Sequence, residues 1–202
     1  FDFTAFFARG GYLDSLRQKG SVPMNVVPGL GDHNVGMNLV AGILAALYQA
    51  KVKGVGEKVE TSLFESAIFN FGMMIQASNY EGIAQNYPID VRESANPFNA
   101  AWRTKDERFI QTCMPDYNTY YKKFMAAIGR EDLVESDKYF PVQSLQANKL
   151  GTEVYDIVME AINKNDMEYW RTVFTEADIP FALAQNWMEI RNDKQAGKQL
   201  FL

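Results

Sequence analysis

The chain has 202 residues, a formal charge of −5 and a pI near 5.0. Its 47% hydrophobic and 22% charged content is that of a globular chain rather than a disordered one, and no excess of Lys and Arg is present to meet a nucleic-acid backbone. A single cysteine, Cys113, excludes an internal disulfide and fits a reducing, cytoplasmic compartment, while a single histidine, His33, excludes a two-imidazole site or a Cys/His zinc cluster within the chain.

Residues 1–13 are apolar, broken at Gly10-Gly11, with Asp2 set between two phenylalanines. Phe1 is not a start methionine and the last residues, 199–202, end without a polar tail, so both ends read as the interior of a longer protein. Asp2 and Arg9 interrupt the start, which therefore lacks the form of a signal peptide. Residues 14–31 read as loop, punctuated by Gly20, Pro23, Pro28, Gly29 and Gly31. Asp32 stands where an N-cap belongs, ahead of Val35, Leu39, Val40, Ile43, Leu44 and Leu47 at three- and four-residue spacing. That pattern predicts an amphipathic helix ended by Lys51-Val52-Lys53-Gly54. The apolar run 35–48 is too short to span a bilayer and contains Asn38, so the expectation is a buried helix and no membrane partner.

Residues 57–61 read as a short strand, and Ser62 with Glu65 as a capping box. The helix expected over 63–80 carries apolar residues on nearly all sides, which predicts burial on several faces. Pro88, Asn96 and Pro97 mark an irregular connection and a domain boundary. Beyond it, 108–113 is a strand candidate, and Asp116 caps a helix running to Ile128 and closed by Gly129. Helices are expected over 145–163 and 167–177, a strand over 181–184 and a short helix over 187–192. The expected organisation is therefore residues 1–91 as part of a large domain, 92–185 as a small α+β domain, and 186–202 as a segment returning toward the first. The whole is mostly helical with a small antiparallel sheet.

Asp2 is the sharpest polar residue in an apolar setting. A carboxylate among aromatic rings loses hydration, which disfavours its charged form and tunes its reactivity as a base or a covalent nucleophile. The plainer alternative is a solvated chain end. Gly31-Asp32-His33-Asn34 can bind an anion at a helix N-terminus, or Asp32 can simply cap the helix. His33 is an acid–base candidate or an ordinary hydrogen-bonded histidine. No P-loop and no G-x-S-x-G elbow is present. Cys113 reads as a buried small hydrophobe. Tyr117, Tyr120, Tyr121 and Phe124 read as a packing face with wet phenol rims. Met73, Met74 and Met114 hint at an adaptable apolar pocket.

Several of these stretches resemble the family III CoA-transferases (CaiB/BaiF type). They are residues 1–11, Gly31-Asp32-His33-Asn34-Val35-Gly36-Met37, Gly42-Ile43-Leu44-Ala45-Ala46-Leu47, residues 53–63, Asn96-Pro97-Phe98 and Glu176-Ala177-Asp178-Ile179-Pro180. Within that family the chain is most similar to clostridial 2-hydroxyacyl and phenyllactate CoA-transferases of amino-acid fermentation. The resemblance implies an α/β family fold, coenzyme A as co-substrate, no metal, an acyl-CoA and a small carboxylic acid as partners, and an interlocked homodimer. It implies a catalytic aspartate, assigned to Asp2 from its Phe-Asp setting, and CoA contacts at Gly31, Asp32, His33 and Asn96. The aspartate would pass through a mixed anhydride and a CoA thioester. The family's N-terminal sheet, with most CoA contacts, has no counterpart here, and residues 92–99 lack the glycine-rich loop of some members. The isolated chain is therefore expected to be inactive. An α-methylacyl-CoA racemase, which shares the fold but moves a proton, and a non-catalytic scaffold are the alternatives.

Overall fold

The computed structural model describes residues 1–24, 26–82 and 86–199; the expectations placed on 200–202 lie outside them. The chain divides into two compact units, Phe1–Asp90 and Val91–Leu202.

The first unit is helical. Asp2–Ala8 forms a widened π-type turn, with the Arg9 N–H bonded to the Thr4 carbonyl at 2.9 Å. A short helix α1 (Tyr12–Ser15) follows. The long helix α2 spans Leu30–Lys53 and ends at Gly54. Helices α3 (Leu63–Asn70) and α4 (Gly72–Ala77) come next. Phe6, Phe7 and Ala67 form the buried centre, with Tyr12, Leu13, Val26 and Leu63 around it. Asn38 of α2 donates to the Ser66 hydroxyl of α3 at 2.9 Å, so the two helices share a polar contact.

Four expectations for this unit need correction. Helix α2 begins at Leu30, with Gly29 as its N-cap, and Asp32 lies inside the first turn. At 24 residues it is long and apolar enough, by length and composition alone, to cross a membrane. Its apolar face is open: Gly31 alone is buried, while Val40, Leu44 and Leu47 are exposed. Residues 57–61 form no strand and pair with none among the described residues, and a strand needs a partner to close its backbone hydrogen bonds. The helix expected over 63–80 breaks at Phe71, and Phe69 and Met73 point outward. Ser62 does cap α3, accepting the Glu65 N–H at 3.1 Å.

The second unit joins a three-stranded antiparallel sheet to helices. Its strands are β1 (Ala101–Arg103), β2 (Phe109–Thr112) and β3 (Phe181–Leu183), in the order β1-β2-β3. Trp102 pairs with Ile110, which pairs with Leu183. Helices α5 (Tyr117–Ala127), α6 (Val142–Ala147), α7 (Gly151–Ile162) and α8 (Met167–Glu176) cover it, followed by α9 (Trp187–Asn192) and α10 (Lys194–Gln199). Asp116 caps α5 by accepting from Thr119 N at 3.2 Å, and Gly129 closes it with φ 73°. One core holds Trp102, Ile110, Tyr121, Phe124, Val158, Trp170 and Phe174.

Here too the structure amends the sequence reading. The helix expected over 145–163 is two helices, separated where Lys149 turns at φ 55°. Cys113 is exposed rather than buried. Strand parity explains this: Ile110, Thr112 and Met114 face the core, so Gln111 and Cys113 face away. Two of the three tyrosine rims of α5 are not wet, while Tyr120 is half-buried. Tyr117 donates to the Tyr139 carbonyl at 2.9 Å and Tyr121 to the Leu133 carbonyl at 2.8 Å. Met114 is packed into this core and Met73 is exposed in the other unit, so the methionines do not line one pocket.

Candidate active site at the start of the long helix

The first turn of α2 gathers three of the residues singled out from the sequence. Asp2 is buried beneath it, held in the Asp2–Ala8 turn whose Phe6 and Phe7 anchor the unit's core. Its carboxylate is not naked among aromatic rings. Oδ2 accepts the Gly29 N–H at 2.7 Å and Oδ1 accepts the Gly31 N–H at 3.0 Å. Both amides precede His33, whose N–H is the first to reach an intrahelical acceptor, the Gly29 carbonyl at 2.9 Å, and they would otherwise lack one. A buried carboxylate needs such partners, and the positive end of a helix provides them.

Two glycines make this fit possible. Gly29 sits at φ 91°, a conformation that side chains resist. At Gly31 a Cβ would stand 2.2 Å from Asp2 Oδ1 and 2.4 Å from the Phe6 ring. Gly31 is therefore a packing position whose N–H is already taken.

Asp32 follows directly and points away. It is exposed, and among the described residues its carboxylate has no hydrogen-bond or ion-pair partner. The N–H groups of Leu30 and Asp32 likewise have no acceptor among the described residues. His33 is exposed, and its ring lies over Gly29, 3.6 Å from where a Cβ would be. Asn34 is tied to α3 by the Asn70 amide at 3.2 Å. This corner thus presents one open carboxylate, two open amides and an imidazole at the positive end of a long helix. The arrangement suits a group that acquires negative charge.

Beside it lies an apolar pocket of about 240 Å³, lined by Phe7, Tyr12, Leu16, Met24, Val27 and Leu30. Sequence reasoning did not find it. The spacing of Tyr12, Leu13 and Leu16 was a faint helical signal, but the closing wall comes from Met24, Val26, Val27 and Leu30, in a stretch that read as loop.

Asn96 belongs to the second unit. Its Nδ2 donates to the Met114 carbonyl at 2.7 Å and its Oδ1 accepts the Phe98 N–H at 3.0 Å, so its amide ties down the local chain. No cluster of His, Cys, Asp and Glu able to hold a metal occurs among the described residues.

Comparison with known proteins places the chain in a family. The profile of CoA-transferase family III matches residues 1–201. The cinnamoyl-CoA:phenyllactate CoA-transferase of Clostridium sporogenes is 47% identical over 97% of this chain and 47% of its own length. The (R)-2-hydroxy-4-methylpentanoate CoA-transferase of Clostridioides difficile is 37% identical over 100% of this chain and 49% of its own. The chain thus spans about half the length of these relatives. Among solved structures, a CAIB/BAIF family protein from Brucella suis superposes with a TM-score of 0.76 at 16% identity, covering 98% of this chain and 51% of that one. The Rv3272 protein of Mycobacterium tuberculosis gives 0.72 at 19%, covering 95% and 49%.

Proposed function

The chain belongs to CoA-transferase family III, and from that premise we propose that it is about half of an enzyme moving CoA between an acyl-CoA and a 2-hydroxy or aryl-substituted carboxylic acid, with Asp32 as the covalent carrier. The observation that carries this assignment is the contrast between two carboxylates. Asp2, which the resemblance suggested, is buried with an N–H on each oxygen. Asp32 is exposed and without a partner among the described residues. A nucleophile needs a free oxygen that an acyl carbon can approach, and Asp32 has one.

In this scheme a carboxylate oxygen of Asp32 attacks the thioester carbonyl of the donor. The C–S bond breaks, CoA leaves as thiolate, and an acyl–aspartyl anhydride remains. The thiolate then attacks the aspartyl carbonyl, releasing the first acid and leaving an aspartyl–CoA thioester. The acceptor carboxylate displaces the thiolate to form a second anhydride. The thiolate finally takes the acceptor's acyl group and frees Asp32 with one oxygen from the acceptor. Expelling a thiolate of pKa ~8.5 with a carboxylate of pKa ~3.9 is uphill by roughly 6 kcal/mol. The open amides of Leu30 and Asp32 can offset part of that by donating to the tetrahedral oxyanion. His33 is the neighbouring group suited to contact CoA, while Gly31 and Asn96 have structural duties in this reading. The apolar pocket bordered by Leu30 suits the acid's hydrocarbon side chain. No metal enters the scheme, and a homodimer and a cytoplasmic setting are part of the proposal.

The test is turnover of the full-length enzyme with acceptor acid labelled with heavy oxygen in its carboxylate, followed by peptide mass mapping. Label in the peptide at Asp32 is expected. Label at Asp2 restores the earlier assignment. No label in either, with exchange of the α-proton, points to racemase chemistry.

A further inference from the structure

We infer that Asp2 is the positioning residue of this site: its carboxylate clamps the first turn of α2 and thereby sets where the Asp32 carboxylate stands, a role that rests on Asp32 being the acyl carrier. Among the described residues Asp2 is the one buried charged side chain. It comes from a different element, about thirty residues earlier in the chain, and reaches the amides of Gly29 and Gly31 rather than solvent. These amides belong to the N-cap, Gly29, and to the second residue of the helix, where the helix's own hydrogen bonds cannot hold the backbone. Gly31 is bonded directly to Asp32, so fixing its nitrogen leaves few torsions between the clamp and the reacting oxygen.

The packing is built for this contact. Gly31 offers no side chain, and a Cβ there would collide with Asp2 Oδ1 and with Phe6. Phe6 lies four residues from Asp2 on the same turn and is fully buried, so the clamp is itself anchored in the unit's core. The turn that carries the proposed nucleophile is thus gripped from below by a carboxylate whose position the aromatic core dictates. A displacement of about 1 Å in such a group can slow a covalent step on the order of 100-fold.

The experiment uses the full-length enzyme and its Asp2→Asn variant in single-turnover reactions with acyl-CoA, measuring both the rate constant of adduct formation at Asp32 and the final adduct per chain. Asparagine can still accept one N–H but presents an NH₂ to the other. The expected result is near-complete labelling at Asp32, reached with a rate constant lowered on the order of 100-fold, and little change in KM for acyl-CoA. A normal rate constant with reduced final labelling would mean that Asp2 merely stabilises the fold and overturns the inference. Labelling at Asp2 in the unaltered enzyme overturns it as well. Absence of any adduct in the unaltered enzyme removes the Asp32 reading and this role with it, which is a distinct result from the first. Should the variant fail to fold, amide exchange in the unaltered protein decides: Gly29 and Gly31 must be protected relative to Leu30 and Asp32, and equal fast exchange at all four overturns the clamp.

Discussion

Asp2 Oδ1 lies 3.0 Å from the Gly31 nitrogen, and a methyl group on Gly31 would stand 2.2 Å from that same oxygen. The hydrogen bond and the close approach are one feature, because only a residue without a side chain lets the carboxylate reach the amide.

Gly31→Ala is therefore expected to destabilise the protein by about 2–4 kcal/mol, combining overpacking against Phe6 with loss of a charged buried hydrogen bond. Urea unfolding measures this directly. A midpoint unchanged from the parent protein would mean that Asp2 relaxes freely and that the cradle is loose.

In the second unit the Trp102 indole N–H donates to Thr112 Oγ1 at 2.7 Å, and that hydroxyl donates to the Phe98 carbonyl at 2.6 Å. All of this is buried. Thr112→Val keeps the shape but strands a donor and an acceptor, and should cost about 2–4 kcal/mol. Thr112→Ser keeps the hydroxyl and should cost about 1 kcal/mol, the loss of one methyl. Equal unfolding free energies for the two variants would show that the hydroxyl relay contributes nothing.

Burial pushes the Tyr121 phenol up to about 12 and pushes Tyr117 up as well. Both stay protonated in the folded state where unfolded tyrosines, at about 10, have lost their protons. The unfolded state then binds fewer protons, so stability is flat below pH ~10 and falls as pH rises from there toward about 12. Phenolate absorbance should show these two tyrosines ionising together with unfolding. Early, reversible ionisation of every tyrosine at pH ~10 would contradict the buried setting.

Cys113 is exposed on the outward side of the strand end. It should react with a thiol reagent in the native protein at close to the rate of a free thiol, and Cys113→Ser should shift stability by less than about 0.5 kcal/mol. Reaction only in denaturant would return Cys113 to the core.

If the pocket beside Leu30 receives the acid's side chain, Val27→Trp should lower kcat/KM for an aryl acid by about 10–100-fold while sparing acetate. Steady-state comparison of the two acids in the full-length enzyme gives the answer. Equal losses for both acids would place the side chain elsewhere.

What was legible in the sequence is what neighbouring residues decide among themselves. Asp116, Ser62, Gly54 and Gly129 mark helix ends through bonds to amides or carbonyls a few residues away, and β2, β3 and α8 follow from short-range patterning. The family motifs are likewise runs of consecutive residues. Strand β1 escaped notice because three residues carry too little alternation. The breaks at Phe71 and Lys149 escaped because apolar periodicity continues across them. The respective fates of Asp2 and Asp32 lay beyond any local pattern. Both are aspartates near apolar runs, and only the folding of the first turn beneath α2 buries one and leaves the other open. Burial is a property of segments far apart in the chain meeting in space, so composition and spacing could nominate both carboxylates, and the tertiary structure alone separated the one that holds from the one that is free.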